Sequence, residues 1–280
     1  MKGKKLLNKT WKENAVTYGI VIIAYIIIQI MVQTGNISSL MKGLLVPVCV
    51  YVIMAVSLNL VVGISGELSL GHAGFMCAGA FSGALFTKCM ADTIGNPVVC
   101  FAIAVVVGAA TAAVFGILIG VPVLRLQGDY LAIVTLAFGE IIKNIVNALF
   151  IGRDENGLHF SLKSAMDLNL ADGGEVLIKG PQGITGNPRV ASFTIGVILI
   201  LITLFIVQNV INSRTGRAVM AIRDNRIAAQ SVGLSVTKYK LMAFTISAAL
   251  AGVGGVLYAH NLTTLTALPK NFGYNQSIMI

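Results

Sequence analysis

The sequence predicts an all-α protein, a polytopic bundle of transmembrane helices. Three observations lead there. Hydrophobic residues make up 56% of the 280 positions and charged residues 11%, whereas soluble domains are about a quarter charged. The apolar residues gather into runs about 20 residues long, the length that crosses a bilayer as a helix. The basic residues concentrate in two segments, the pattern that membrane topology imposes.

The chain opens with MKGKKLLNKTWKEN and an apolar run to Val32. The run is too long for a secretory signal, and no small-residue cleavage site follows it, so 15–32 reads as an uncleaved first helix. Further spans are expected at 44–62, 73–86, 98–121, 130–151, 191–211 and 241–259, making seven. The third is short and rich in small residues, which predicts a broken or re-entrant helix. Lys2, Lys4, Lys5, Lys9 and Lys12 place the N-terminus in the cytoplasm. Counting spans from there also puts 212–240 inside. That loop carries Arg214, Arg217, Arg223, Arg226, Lys238 and Lys240 against Asp224, so charge and count agree. Its middle, 218–232, is expected to form one short helix across the membrane face, suited to docking a soluble partner.

The same count puts 152–190 outside. Its charges are mixed, and GPQGITGNP (180–188) reads as turns; a small folded excursion is expected. The whole of 1–280 reads as one membrane domain. It stops as a new apolar stretch begins at 277–280, so a C-terminally truncated fragment is expected.

Several functions are excluded. The net charge of +9 is accounted for by topology and anionic lipid, not nucleic acid. Cys49, Cys77, Cys89 and Cys100 lie in or beside spans without C-x-x-C spacing and read as packing residues. His72, His159 and His260 are scattered, so no metal site or cofactor is expected. No P-loop, G-x-S-x-G or H-E-x-x-H occurs. The chain is not expected to be an enzyme, and any energy from ATP would come from another subunit.

Two segments hold candidate functional residues. Between spans two and three lies GISGELSLGH, with Glu67, Ser69, Gly71 and His72. It fits either a broken-helix element beside a translocation path, where non-helical backbone is tolerated, or a polar loop at the membrane surface. In span five, Glu140, Lys143, Asn144 and Asn147 share one helical face, and Glu140 can pair with Lys143. This stripe fits either a path lining or interhelical hydrogen-bond glue. Gly79/Gly83, Gly116/Gly120, Ala248/Gly252 and Ala251/Gly255 are small-residue pairs that allow close helix packing.

SLNLVVGISGELSLGHAGF (57–75), LRLQGDYLAIVTLAFGEIIKNIV (124–146), GPQGITG (180–186) and TGRAVMAIRDNRIAAQSVGLSVTKYKLMAFTISAALAGVGGVLYA (215–259) resemble the M-type permease subunit of bacterial branched-chain amino acid ABC importers. The resemblance spreads over about three-quarters of the chain in the family's order. It implies a multi-pass protein of the cytoplasmic membrane that forms part of a path for leucine, isoleucine and valine. It further implies two ABC ATPase subunits, an H-type sister permease and an extracytoplasmic substrate-binding protein as partners. Gly216, Arg217, Ala221, Arg223, Asp224, Ala228, Ala229 and Gly233 fall on the segment that engages the ATPase. LSLGH lies near the substrate path, and Glu140 and Lys143 match acidic and basic positions of the middle span. Two rivals are a sugar-type ABC permease, against which LSLGH and GDYLAIVTL speak, and an ion-coupled secondary transporter. The latter would carry coupling carboxylates in several spans, where Glu140 alone is evident.

Overall fold

A computed structural model describes residues 2–91, 93–126, 128–154, 157–170 and 174–280. Seven helices among them are long and apolar enough to cross a membrane. They are α1 (Lys2–Gln33), α2 (Ser39–Asn59, continued by a π turn at Leu60–Ile64), α3 (His72–Met90), α4 (Pro97–Val123), α5 (Asp129–Ala148), α6 (Phe193–Asn212) and α9 (Val236–Ala259). Helices serve here because each satisfies its own backbone hydrogen bonds where no water is present. Their starts follow local chemistry. Ser38, Asn96 and Ser192 cap α2, α4 and α6 by accepting from Met41, Val98 and Ile195 backbone N–H groups.

The core is the packing of α3 and α9 on each other and on α4. Backbones meet there with almost nothing between them. A Cβ on Gly79 would lie 2.4 Å from Gly252 Cα, and one on Gly255 would lie 2.1 Å from the Met76 carbonyl oxygen. Such contacts replace the hydrophobic drive that lipid does not supply. They also correct the expectation of a broken third span. α3 is one continuous helix, and its small residues thin the hydropathy because they face protein. Span five is corrected too. α5 ends at Ala148, Leu149 turns extended (φ −85°, ψ 128°), and Phe150–Asp154 is a strand.

That strand begins the excursion, which folds into a small sheet of order β2-β1-β3 (Gly157–Ser161, Phe150–Asp154, Glu175–Lys179), antiparallel throughout. It is tied to the helix ends beneath it. Arg153 Nη1 donates to the Cys89 carbonyl at 2.8 Å, and Lys88 pairs with Glu175 at 3.6 Å. Past the sheet, β4 (Ile184–Thr185) pairs with β5 (Thr264–Leu265), and Asn187 Nδ2 donates to the Ala259 carbonyl at 2.6 Å. The chain then runs through two short helices, α10 (Pro269–Phe272) and α11 (Tyr274–Met279), which pack on α3 and α5.

Candidate functional site

The basic segment stands at the end of the bundle opposite the sheet, one span away. It is not the single helix the sequence suggests. α7 (Arg214–Asp224) and α8 (Arg226–Ser231) are separated by Asn225, which is extended (φ −153°, ψ 101°). The break comes from capping: the Asn225 side chain accepts from Ala228 N–H at 3.0 Å and starts a new helix. The other end of α7 is a tight corner. Ser213 Oγ accepts from Gly216 N–H at 3.1 Å, and a Cβ on Gly216 would lie 2.3 Å from the Val210 carbonyl oxygen. Arg217 reaches back to the Asn212 carbonyl at 3.2 Å. Gly233 ends α8 with φ +86°, the left-handed conformation that glycine adopts readily past a helix end.

The two helices are held by a small core shared with the start of α9. Ile222, Ala229 and Val236 are buried together, with Leu234 and Tyr239 against them. Ala229 therefore faces its own chain. Ala221 and Ala228 remain on the open face, beside Ile227 (77% exposed) and Val232 (75% exposed). Arg223 grips Asp224 at 3.0 Å and also donates to the Gly63 carbonyl at 2.8 Å.

That last bond joins the segment to GISGELSLGH. Glu67 sits here, at the same end of the bundle, paired with Lys240 at the start of α9; both side chains are 12% exposed. Glu67 is thus apart from the other path candidates. Gly71 and His72 lie deeper. A Cβ on Gly71 would lie 2.1 Å from the Thr135 carbonyl oxygen, so its smallness lets α3 begin against α5. Leu70 N–H donates to Thr135 Oγ1 at 3.0 Å. His72 is buried with Nε2 2.8 Å from Ser57 Oγ. That hydroxyl also donates to the Met54 carbonyl, so the ring donates through Nε2, and its Nδ1 has no partner among the described residues. Ser69 Oγ is likewise buried with no partner among the described residues, and Ser69 lines a cleft of about 360 Å³ together with Leu58, Asn59, Ser277 and Ile280.

The stripe on α5 is only partly gathered. Glu140 and Lys143 pair, with Lys143 buried (7% exposed) and Glu140 half-buried (32%). Asn144 is exposed on the outer side of the helix, and Asn147 is half-buried, its Oδ1 without a partner among the described residues. A Cβ on Gly273, between α10 and α11, would lie 3.1 Å from Glu140 Oε1. Nearby in sequence, Gln276 donates to Tyr51 Oη at 3.1 Å. Pro269 and Gly273 are the punctuation that could have announced this broken pair of helices. Nothing local announces the Arg223–Gly63 and Glu67–Lys240 contacts, whose partners lie 160 and 173 residues apart.

The family described as branched-chain amino acid transport system / permease component matches residues 40–280, from α2 onward. Two relatives are each named high-affinity branched-chain amino acid transport system permease protein LivM, one from Salmonella typhimurium strain LT2 and one from Escherichia coli strain K12. Each is 35% identical over 240 residues, which cover 82% of this chain and 54% of the relative. The chain therefore spans about half the length of the curated relatives it matches. No solved structure matches it. On the extent of these matches, the chain belongs to the permease component family of the branched-chain amino acid transport system.

Proposed function

We propose that this chain is a permease subunit of an ABC importer in a bacterial cytoplasmic membrane. It forms part of the path for leucine, isoleucine or valine and takes its energy from separate ATPase subunits. The observation that carries this reading is the α7–α8 unit. In a chain of this family, it is a compact pair of helices outside the spans, seated on the start of α9, with small and apolar residues on its open face. Ala221 and Ala228 let a partner's groove approach closely, while Ile227 and Val232 offer apolar area to bury. A zwitterionic amino acid carries one charge of each sign, and Glu140 with Lys143 offers the complement of both. The partners are two ATPases, an H-type sister permease and an extracytoplasmic binding protein, which meets the sheet end. The whole of 1–280 acts as one membrane domain with a cytoplasmic N-terminus.

Ala228→Trp tests the coupling. The permease should reach the membrane at parental level, while ATPase co-purification and substrate-stimulated ATP hydrolysis fall. ATPase subunits bound as well as by the parent would remove α7–α8 as the coupling element. The orientation has its own test. In a background without Cys49, Cys77, Cys89 and Cys100, cysteine at Met166 (90% exposed) should react with an impermeant thiol reagent on intact cells, and cysteine at Ile227 should not. Equal labelling would overturn the span count.

A further inference from the structure

α7–α8 could pass a movement into the bundle by several routes, because it touches α6, the π turn and α9. The contacts differ in kind. Its junction with α6 is a capped corner closed by Gly216, with no slack. The contact with the 60–71 segment is made by long side chains. Arg223 donates to the Gly63 carbonyl at 2.8 Å. Its aliphatic stem fills the space over Gly66, where a Cβ would meet Arg223 Cγ at 2.6 Å. Gly66 itself has φ +72°, which an L side chain rarely adopts. One residue on, Glu67 pairs with Lys240 at the root of α9. Just upstream, α2 ends in a π turn, a widened geometry that is frequent at functional sites. Downstream, Gly71 and His72 anchor α3 on α5 and on Ser57 of α2, and Ser247 of α9 donates to the Ser57 carbonyl.

We propose that Arg223–Gly63 and Glu67–Lys240 form a two-point latch, one point on α7 and one on the root of α9 that packs against α7–α8 through Val236 and Tyr239, and that it passes motion of this joint unit into the 60–71 segment, and so to the inner ends of α2 and α3. Two attachments fix an orientation where one would act as a pivot. The ion pair is largely shielded from water, so it resists screening and holds under load. The π turn and Gly66 supply the compliance on the receiving side. Glu67 and Lys240 are positioning residues: they are absent from the open face of α7–α8, so their loss leaves docking intact and breaks transmission. The proposal rests on the importer reading above.

The test uses the full complex purified through the permease and reconstituted in vesicles, with leucine as the transported probe. Glu67→Gln and Lys240→Met should leave membrane level and ATPase co-purification at parental values. Leucine moved per ATP hydrolysed should fall at least about fivefold, the lower range of measured couplings between sites. The exchange Glu67→Lys with Lys240→Glu should recover most of that ratio, which a purely local structural role would not do. Single variants that keep the parental ratio, or that lose ATPase co-purification in step with transport, would overturn the latch. An exchange that recovers nothing would overturn it too. If the parent itself recovers no ATPase, the importer reading fails and the latch falls with it.

Discussion

α3 and α1 are both membrane-length helices, yet they solve opposite problems. α3 is the least apolar of the seven, and 67% of its apolar stretch is buried within the chain. α1 is far more apolar, and none of its stretch is buried. In a soluble protein the order would be reversed. Lipid tails are as apolar as leucine, so bulk hydrophobicity gives a helix no reason to move inward. What α3 offers is backbone made accessible by Gly74, Gly79 and Gly83, against Gly139, Gly252 and Val256. What α1 offers is Ile20, Ile23, Ile27 and Ile30, all more than half exposed, on a surface that suits lipid. Hydropathy reads the outside of this molecule, and small residues read the inside.

The contrast is broken most severely by filling the interior. Gly255→Val places branched carbons where the Met76 carbonyl oxygen already stands 2.1 Å from a Cβ position. It should cost more than about 4 kcal/mol, the exceptional range for one substitution, and abolish monodisperse protein in detergent gel filtration. An intermediate effect is expected at the Glu140–Lys143 pair, and the structure makes it asymmetric. Glu140→Gln leaves a buried ammonium without its partner, whereas Lys143→Met leaves a carboxylate that is a third exposed. The first should lose about 3 kcal/mol and the second distinctly less, read as thermal unfolding in detergent. The double change should recover part of the loss; strictly additive losses would show that the two do not interact. The smallest effect is expected at the lipid face. Ile27→Ala, at a residue 54% exposed, should stay within about 0.5 kcal/mol of the parent. A large loss there would mean that another protein surface covers α1.

The span positions were legible because each apolar run meets a distinct stop. Pro97 opens α4 behind the Asn96 cap, and Ser192 starts α6 one residue past an alanine counted inside the span. Where the reading failed, a local cue opposed a distant contact. Lys238 and Lys240 argue against a span, yet α9 includes both: Lys240 is met by Glu67, and Lys238 lies exposed. The glycines of α3 argue for a break, yet they are its packing surface. Phe150 and Ile151 continue the apolar run of α5, but their backbone pairs with β2 and β3. In the 212–240 segment, the basic bias was visible. The Asn225 break was not, since an asparagine in a polar stretch signals a cap only once a new helix follows it. The burial of Ala229 also needed the fold, because its partners Ile222 and Val236 belong to two other helices.

The π turn at Leu60–Ile64 has a consequence for how this chain tolerates length change. A π turn is an α-helix carrying one surplus residue, and each residue of an α-helix advances the phase by roughly 100°. The surplus is taken up inside the turn, so losing one residue there lets the helix close as regular α while the chain beyond keeps nearly its present phase. Leu60 and Val61 are buried and Gly63 accepts from Arg223, which leaves Val62, 37% exposed, as the residue whose loss removes least. The same one-residue gap in the regular helix before the turn would rotate everything downstream by roughly 100°. Among relatives, single-residue length differences between Ser57 and His72 should therefore gather in this turn.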